Sequence, residues 1–300
     1  KKLTALKRLG FTRVSFGVQD LDPIVQEAVK RRQSEEMTVQ TYLKAREIGF
    51  EGINIDLIYG LPFQTPESFG KTALRLIQLK PDRIAFYSYA KVPWIKKHQN
   101  AIPDETLPST EEKFQIYVEA RARFMEAGYA AIGMDHFALP SDPIAKAYFT
   151  KKLTRNFQGY SVQLAEDMIS FGMTAIGFLE NGYFQNSKEI EEYQGIIERG
   201  KVPIHRGFQL TEEDLCRRFV IQSLMCRFEL DKEEFRMRFG KDFDLHFEAL
   251  KKALSHLSEE GLLEETSTRL TATALGRLLI RLVAAPFDAY LSEGKFSRAI

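Results

Sequence analysis

The chain is poor in the residues that would assign it quickly. Its 300 residues include two cysteines, Cys216 and Cys226, whose spacing fits neither a disulfide framework nor a metal motif. Each lies in an apolar helical pattern, so both read as core thiols, and no residues of this chain are offered as metal ligands. A charge excess is missing as well: 42 Lys and Arg against 41 Asp and Glu leave +1, which gives no bulk attraction to nucleic acid or anionic lipid. There is no apolar run long enough to span a bilayer and no signal sequence, so neither membrane nor nucleic acid is an expected partner and the cytoplasm is the expected location. The first residue is Lys1, directly before a helix ending at Gly10, and the chain is expected to lack its natural beginning. What remains, 44% hydrophobic and 28% charged residues, suits a globular protein with one or two substantial cores.

The opening residues alternate strand and helix. Strands are expected at Arg13 to Val18, Gly52 to Ile58 and Arg83 to Tyr89. Asp22-Pro23 caps a first helix, and a second runs from about Thr38 to Ile48, stopped by Gly49. Thr65, Pro66 and Glu67 open a third, with Phe69, Ala73, Leu76 and Ile77 on one face. This repetition predicts parallel strands with right-handed crossovers. Three such strands are too few to close a barrel, and an edge as apolar as Ile53-Ile55-Leu57 calls for a cover, so further strands are expected upstream.

Beyond Pro93 the rhythm changes. Ser109 and Glu112 form a capping box for a long helix ending near Gly128, and the short run Tyr129 to Met134 follows. Pro140 to Pro143 reads as a loop, and Arg155 to Tyr160, polar and aromatic without a period, reads as a binding loop. From about Arg206 the pattern becomes helical, punctuated by Thr211, Asp231 and Gly240. An amphipathic helix at Leu245 to Leu257, a β ribbon from Gly261-Leu262-Leu263 and Arg269-Leu270-Thr271, and a helix at Ala274 to Val283 give the order of a winged helix. The helices show no basic reading face, which argues against DNA binding. The fold class is α/β with three domains: 1–95, parallel βα units; 96–205, an α+β extension with ligand loops; 206–300, a mostly helical, winged-helix-like domain.

Chemistry gathers at the strand ends. In the second strand Asn54 and Asp56 interrupt an apolar run at period two, so one face is polar, and ligands of α/β folds meet the carboxyl ends of parallel strands. Gln19 ends the first strand in Gly17-Val18-Gln19-Asp20, so Gln19 and Asp56 are able to converge on a hydroxyl-bearing ligand. Arg31 and Arg32, at the end of the next helix, suit its C-terminal dipole and water, and small Ala90 after the third strand allows close approach to backbone. Asp135 and His136, in Gly133-Met134-Asp135-His136-Phe137-Ala138, place an acid beside an imidazole and are the candidates for proton transfer. Arg155, in Arg155-Asn156-Phe157-Gln158-Gly159-Tyr160, suits a flat substrate bearing carboxylates.

Together with Asn54-Ile55-Asp56-Leu57-Ile58-Tyr59-Gly60-Leu61-Pro62, Gln64-Thr65-Pro66-Glu67-Ser68 and the terminal Phe296-Ser297-Arg298, these segments closely resemble the oxygen-independent coproporphyrinogen III oxidases. The resemblance spans essentially the whole chain. It implies the carboxyl-terminal part of a partial (β/α) radical S-adenosylmethionine barrel with a helical tail domain, a [4Fe-4S] cluster and two S-adenosylmethionine molecules. It implies that a 5′-deoxyadenosyl radical abstracts hydrogen from two propionates of coproporphyrinogen III, which lose carbon dioxide to become vinyl groups and give protoporphyrinogen IX in haem synthesis. Coproporphyrinogen III and a reductant are the implied partners of a monomer. By motif, Gln19, Arg31, Asp56 and Ala90 are implied contacts of a second S-adenosylmethionine and Ile176 of the first, with Ile58, Phe157 and Gln158 nearby. Lys91 departs from the histidine that often follows the matching alanine. The family's Cys-x-x-x-Cys-x-x-Cys cluster loop is absent from this sequence, so the chain alone is expected to be inactive. The alternative is a haem-carrying relative of the same superfamily, which generally lacks the Met134 to Ala138 wording.

Overall fold

A computed structural model describes residues 1–162 and 167–291; Phe296-Ser297-Arg298 lies outside them. The described residues form two compact units, Lys1–Phe149 and the residues from Thr150 onward. The three-part division at 95/96 and 205/206 follows changes of pattern along the chain, whereas the two units follow spatial contact.

In the first unit β1 (Arg13–Gln19), β2 (Gly52–Tyr59) and β3 (Arg83–Ser88) pair in parallel, as the alternation of strand and helix predicts. A short hairpin, β4 (Ala130–Ile132) and β5 (His136–Ala138), extends the sheet antiparallel to β3, giving the order β1-β2-β3-β5-β4. The Asp-His-Phe-Ala segment is thus part of the sheet, and the strand expected over Tyr129 to Met134 is confined to three residues. The helices are α1 (Lys2–Arg8), α2 (Pro23–Ala28), α3 (Glu35–Ile48), α4 (Pro66–Leu79), α5 (Thr110–Glu126) and α6 (Pro143–Phe149). α3 begins three residues before the expected Thr38 because the Ser34 hydroxyl accepts from the Met37 amide. Gly49 closes it at φ 90°, a left-handed cap suited to glycine. Both expected caps of α4 and α5 are present as reciprocal boxes, Thr65 with Ser68 and Ser109 with Glu112.

β2 is two-faced. Ile53, Ile55 and Leu57 are buried, while Asn54, Asp56 and Ile58 on the other face are only partly so. The apolar face continues through Ile84, Phe86 and Phe137 against α4 and α5. Phe86 sits at its centre, with ring centroids 5.0 Å from Phe69, 5.9 Å from Tyr117 and 5.8 Å from Phe124. Burying each such ring is worth about 1.5–3 kcal/mol.

At the amino-terminal ends of the strands the polar face is closed by charge. The Asp142 carboxylate, with its side chain 1% exposed, receives Arg13 of β1 at 2.5 Å and Arg83 of β3 at 2.8 Å. It also accepts from the Ile144 amide at 2.8 Å, so the same group caps α6. Gly52 is needed here: a Cβ on it would lie 2.1 Å from Arg13 Cζ.

The second unit contains the hairpin β6 (Thr154–Asn156) with β7 (Gly159–Ser161), where the sequence suggested a loop. Three strands that sequence pattern did not reveal, β8 (Ile176–Leu179), β9 (Gly182–Asn186) and β10 (Ile204–Gln209), form a meander, with α7 (Ile190–Glu198) between the last two. The expected helical onset near Arg206 is therefore displaced; α8 (Glu212–Arg227) starts after a Thr211 capping box. β11 (Glu229–Asp231), α9 (Lys232–Phe239), α10 (Phe243–His246), α11 (Lys251–Glu259), β12 (Leu263–Glu265) and β13 (Arg269–Ala272) follow. β13 pairs with both β11 and β12, which confirms the ribbon, and α12 (Ala274–Leu278) and α13 (Ile280–Ala284) complete a winged-helix-like arrangement. Two expected helices are broken. The Leu245 to Leu257 stretch divides into α10, a 3-10 turn and α11, because the buried rings of Phe243 and Phe247 pack against Phe235 and Phe287. Ala274 to Val283 breaks at Leu279, whose φ of −110° and ψ of 31° leave the helical region.

Asp142→Leu is expected to lower stability by about 3–5 kcal/mol in urea unfolding, because two partly buried guanidinium groups lose their counter-ion. A loss below about 1 kcal/mol would show that the clamp contributes nothing net.

Candidate functional site

The polar face of the first unit rises from the Asp142 clamp to the carboxyl ends of β1 to β3. Register brings Ser15 opposite Asn54 and Gly17 opposite Asp56. The Ser15 hydroxyl lies 3.1 Å from both Asp56 carboxylate oxygens, and Asn54 Nδ2 donates to Asp56 Oδ1 at 2.6 Å and to Ser15 Oγ at 2.8 Å. Asp56 is thereby held by neutral donors, with no cation paired to it among the described residues. Asn54 Oδ1 and Gln19 Oε1 are buried without a hydrogen-bond partner among the described residues. Buried acceptors of that kind cost roughly 1–3 kcal/mol each unless a donor arrives.

Gln19 takes φ 67°, and the pairing of β1 with β2 shifts between Gly17 and Gln19, so Gln19 pairs with Leu57. The bulge turns the amide back over Gly17, where a Cβ would lie 2.8 Å from Gln19 Nε2 and 3.2 Å from Arg31 Nη2. Arg31 Nη2 donates to the Gly17 carbonyl at 2.6 Å. Gln19, Arg31 and Asp56 therefore meet around Gly17, a role for the glycine that sequence reading did not assign. Neighbouring Arg32 instead turns to Glu27, 2.5 Å away.

Asp20 was another residue missed. It is 1% exposed and accepts from Thr72 Oγ1 at 2.6 Å, Gln64 Nε2 at 2.6 Å and the Asp22 amide at 3.0 Å. Gln64 also donates to the Ile58 carbonyl at 2.9 Å, so the Asp20 cluster ties the end of β1 to the end of β2 and to α4. Burial pushes the Asp20 carboxyl above its ordinary value, only partly offset by these donors.

Ile58 follows Asp56 on the polar face. Ala90 lies two residues beyond β3, and its carbonyl accepts from Gln99 at 3.0 Å. Lys91 reaches the Ile102 carbonyl at 2.7 Å and Asp104 at 2.5 Å, which makes it a tie within the loop after β3. Across the sheet, Asp56 is opposite Ala85 and Ala85 opposite His136, so Asp56 and His136 share one row, two strand spacings or roughly 10 Å apart. His136 Nδ1 lies 2.5 Å from Asp135 Oδ1 and its ring meets Tyr87 edge-on at 5.9 Å, so the two sequence neighbours do touch.

In the second unit Phe157 and Gln158 form the tip of the β6–β7 hairpin, with the Gln158 amide donating to Asn156 Oδ1 at 2.8 Å. Phe157 is 59% exposed and stands edge-on to Tyr183 of β9 at 5.1 Å. Ile176 begins β8, the strand paired with β9. Arg155 lies over its cross-strand partner Tyr160 at 5.6 Å, and its Nε is buried without a hydrogen-bond partner. Both cysteines are buried with thiols raised by desolvation, that of Cys226 to about 12.

The chain carries a strand-end polar rim on parallel βα units and, further along, a winged-helix-like module, and comparison with known proteins places it among radical SAM proteins. Residues 1–76 match the Radical SAM superfamily, and residues 210–279 match the HemN C-terminal domain. The oxygen-independent coproporphyrinogen III oxidase of Thermostichus vulcanus is 45% identical over 98% of this chain and 92% of its own length. The Synechocystis enzyme of the same name is 43% identical over 99% of the chain, which spans 65% of that relative. The solved structure of coproporphyrinogen III oxidase (HemN) from Escherichia coli, described as a radical SAM enzyme, superposes with a TM-score of 0.92 at 43% identity, covering 97% of this chain and 67% of that one. The chain belongs to the oxygen-independent coproporphyrinogen III oxidases.

The Asp20 carboxyl is expected to titrate above 3.8 in a carbon-detected NMR titration of the folded chain. With the folded value raised, the folded state keeps this proton where the unfolded chain has released it. Asp20 thus makes stability increase as pH falls through its folded pKa toward 3.8. Asp20→Asn should flatten that part of the stability profile; an unchanged profile would contradict the buried, cation-free assignment.

Proposed function

We propose that this chain serves the oxidative decarboxylation of two propionates of coproporphyrinogen III to vinyl groups, giving protoporphyrinogen IX. Each propionate loses one hydrogen atom to the adenosyl radical, one carbon dioxide, and one electron to an external electron acceptor; the reductant is separate and supplies the electron that generates the radical. The observation that carries the reading is the convergence of Gln19, Arg31 and Asp56 around Gly17 in a chain 45% identical to such an oxidase.

S-adenosylmethionine fits this rim. Its hydroxyl and ammonium donors match the unpartnered acceptors Gln19 Oε1 and Asn54 Oδ1, and Asp56 is an anion held without a cation. Arg31, anchored by one nitrogen on the Gly17 carbonyl, keeps further donors for the cofactor's carboxylate. Ala90 and Ile58 would border the same molecule, the second of two, while Ile176, Phe157 and Gln158 would adjoin the first. Bound to a reduced cluster, S-adenosylmethionine would supply the hydrogen-abstracting radical. The cluster itself does not fit the described residues: none of their His, Cys, Asp and Glu form a metal-binding group of three, and both thiols are buried with raised pKa values. Asp135 orients His136 and makes that pair the candidate for proton handling, while Arg155 is a candidate for a substrate propionate. Among the described residues no helix is long and apolar enough to cross a membrane.

A chimera in which this chain replaces the matching segment of the Escherichia coli enzyme, reconstituted anaerobically with iron and sulfide, is expected to release carbon dioxide from coproporphyrinogen III. A cluster-loaded chimera without turnover overturns the reading. Asp56→Ala is expected to weaken S-adenosylmethionine binding roughly tenfold or more, from the loss of charge-assisted hydrogen bonds, with an unchanged melting temperature. Calorimetric titration showing equal affinity would remove Asp56 from the contact set.

A further inference from the structure

Helix α8 carries three arginines on its length, and they differ in one respect. Arg217 Nε pairs with Glu213 at 2.6 Å and Arg227 Nη1 with Glu234 at 2.8 Å. Arg218 has no carboxylate among the described residues, and its Nε is buried without a hydrogen-bond partner. Its guanidinium lies instead 4.1 Å over the Phe178 ring and 5.6 Å from that of Tyr183. Stacking on rings holds a guanidinium in place and offsets part of its desolvation, but it leaves the in-plane donors unsatisfied. A planar cation fixed by its faces, with a buried edge nitrogen left without a partner, is suited to receive a carboxylate.

A second such cation lies beside it. Arg155 also has a buried, unpartnered Nε, and its carbonyl accepts from Gln222 at 3.2 Å, one helical turn beyond Arg218 on α8. Its charge acts on the Cys226 thiol one turn further along. The two guanidiniums are thus spread along one side of α8, an arrangement for a ligand with several carboxylates more than for a single one. The ring cluster that holds Arg218 is continuous with the residues placed next to the cofactor: Tyr183 meets Phe157 at 5.1 Å, and Phe178 follows Ile176 by two residues on the same face of β8.

We infer that Arg218, together with Arg155, forms a carboxylate-binding site that receives propionate groups of the tetrapyrrole substrate. This rests on the substrate reading given above. Both arginines belong to the second unit, so the site sets which edge of the macrocycle faces Phe157 and Ile176. Arg218 is a binding residue and takes no part in bond breaking.

The test uses this chain with coproporphyrin III, the stable oxidised tetra-acid, and with its uncharged tetra-amide, followed by porphyrin fluorescence. Arg218→Gln is expected to weaken the tetra-acid roughly tenfold or more and to leave the tetra-amide unchanged, as loss of a charge-assisted fork requires. Arg217→Gln, altering the paired neighbour, should change neither. If Arg218→Gln binds the tetra-acid as tightly as the original chain does, this inference fails and the substrate reading stands. If the original chain does not bind the tetra-acid, both fail together. Should Arg218→Gln not fold, Arg218→Lys, which keeps the charge without the fork, is expected to show a smaller loss that grows with salt; full affinity in Arg218→Lys at all salt concentrations overturns the site.

Discussion

The parallel pairing of β2 between β1 and β3 is the constraint on which the first unit depends. β2 must bury Ile53, Ile55 and Leu57 on one side and keep Asn54 and Asp56 on the other. A slip of one residue would exchange those faces, placing the Asp56 carboxylate among the rings of Phe69, Phe86 and Phe124. Register is therefore fixed by the cost of burying an unpaired charge as much as by apolar contact. The clamp of Arg13 and Arg83 on Asp142 adds a second lock, because it joins the two strands that flank β2 through one buried group. The polar rim at the opposite end inherits its geometry from both.

Two buried carboxylates of this unit illustrate how differently such groups work. Asp142 has two cations and an amide, so its charge is balanced where it sits. Among the described residues Asp20 has neutral donors alone, from Thr72, Gln64 and the Asp22 amide, and burial dominates its protonation. Neutral donors tie the strand ends together without adding positive charge there, at the cost of some stability.

The parallel units were legible because their signals are local: caps at Asp22, Thr65 and Ser109, a glycine stop at Gly49, and period-two interruption by Asn54 and Asp56. Gln19, Arg31 and Asp56 were legible as strand-end residues of suitable chemistry. What joins them was not, since the bulge at Gln19 and the space over Gly17 are properties of backbone in three dimensions. The Arg13–Asp142–Arg83 clamp spans 129 and 59 positions and leaves no local trace. The β8–β9–β10 meander escaped notice because its strands are short and mixed, with β10 exposed along its whole length. The breaks at Phe247 and Leu279 were hidden by continuous apolar periodicity, which packing in the tail overrides.

The two units differ in the side-chain chemistry they present. With a formal charge of +1 the chain has no large net charge to attract anions in bulk, so any anionic ligand has to be met by local groups. The first unit offers oriented hydrogen-bonding groups around Gly17, suited to the hydroxyl, ammonium and carboxylate groups of a small polar cofactor. The second offers rings and guanidiniums: Phe157, Phe178, Tyr183, Arg155 and Arg218. Rings alone would bind a flat apolar ligand without fixing its rotation, and exposed cations alone would be hydrated and mobile. A guanidinium stacked on a ring restricts both, because the face is occupied and only the edge can meet a carboxylate, so the position of an acid would set the orientation of a flat ligand that carries it.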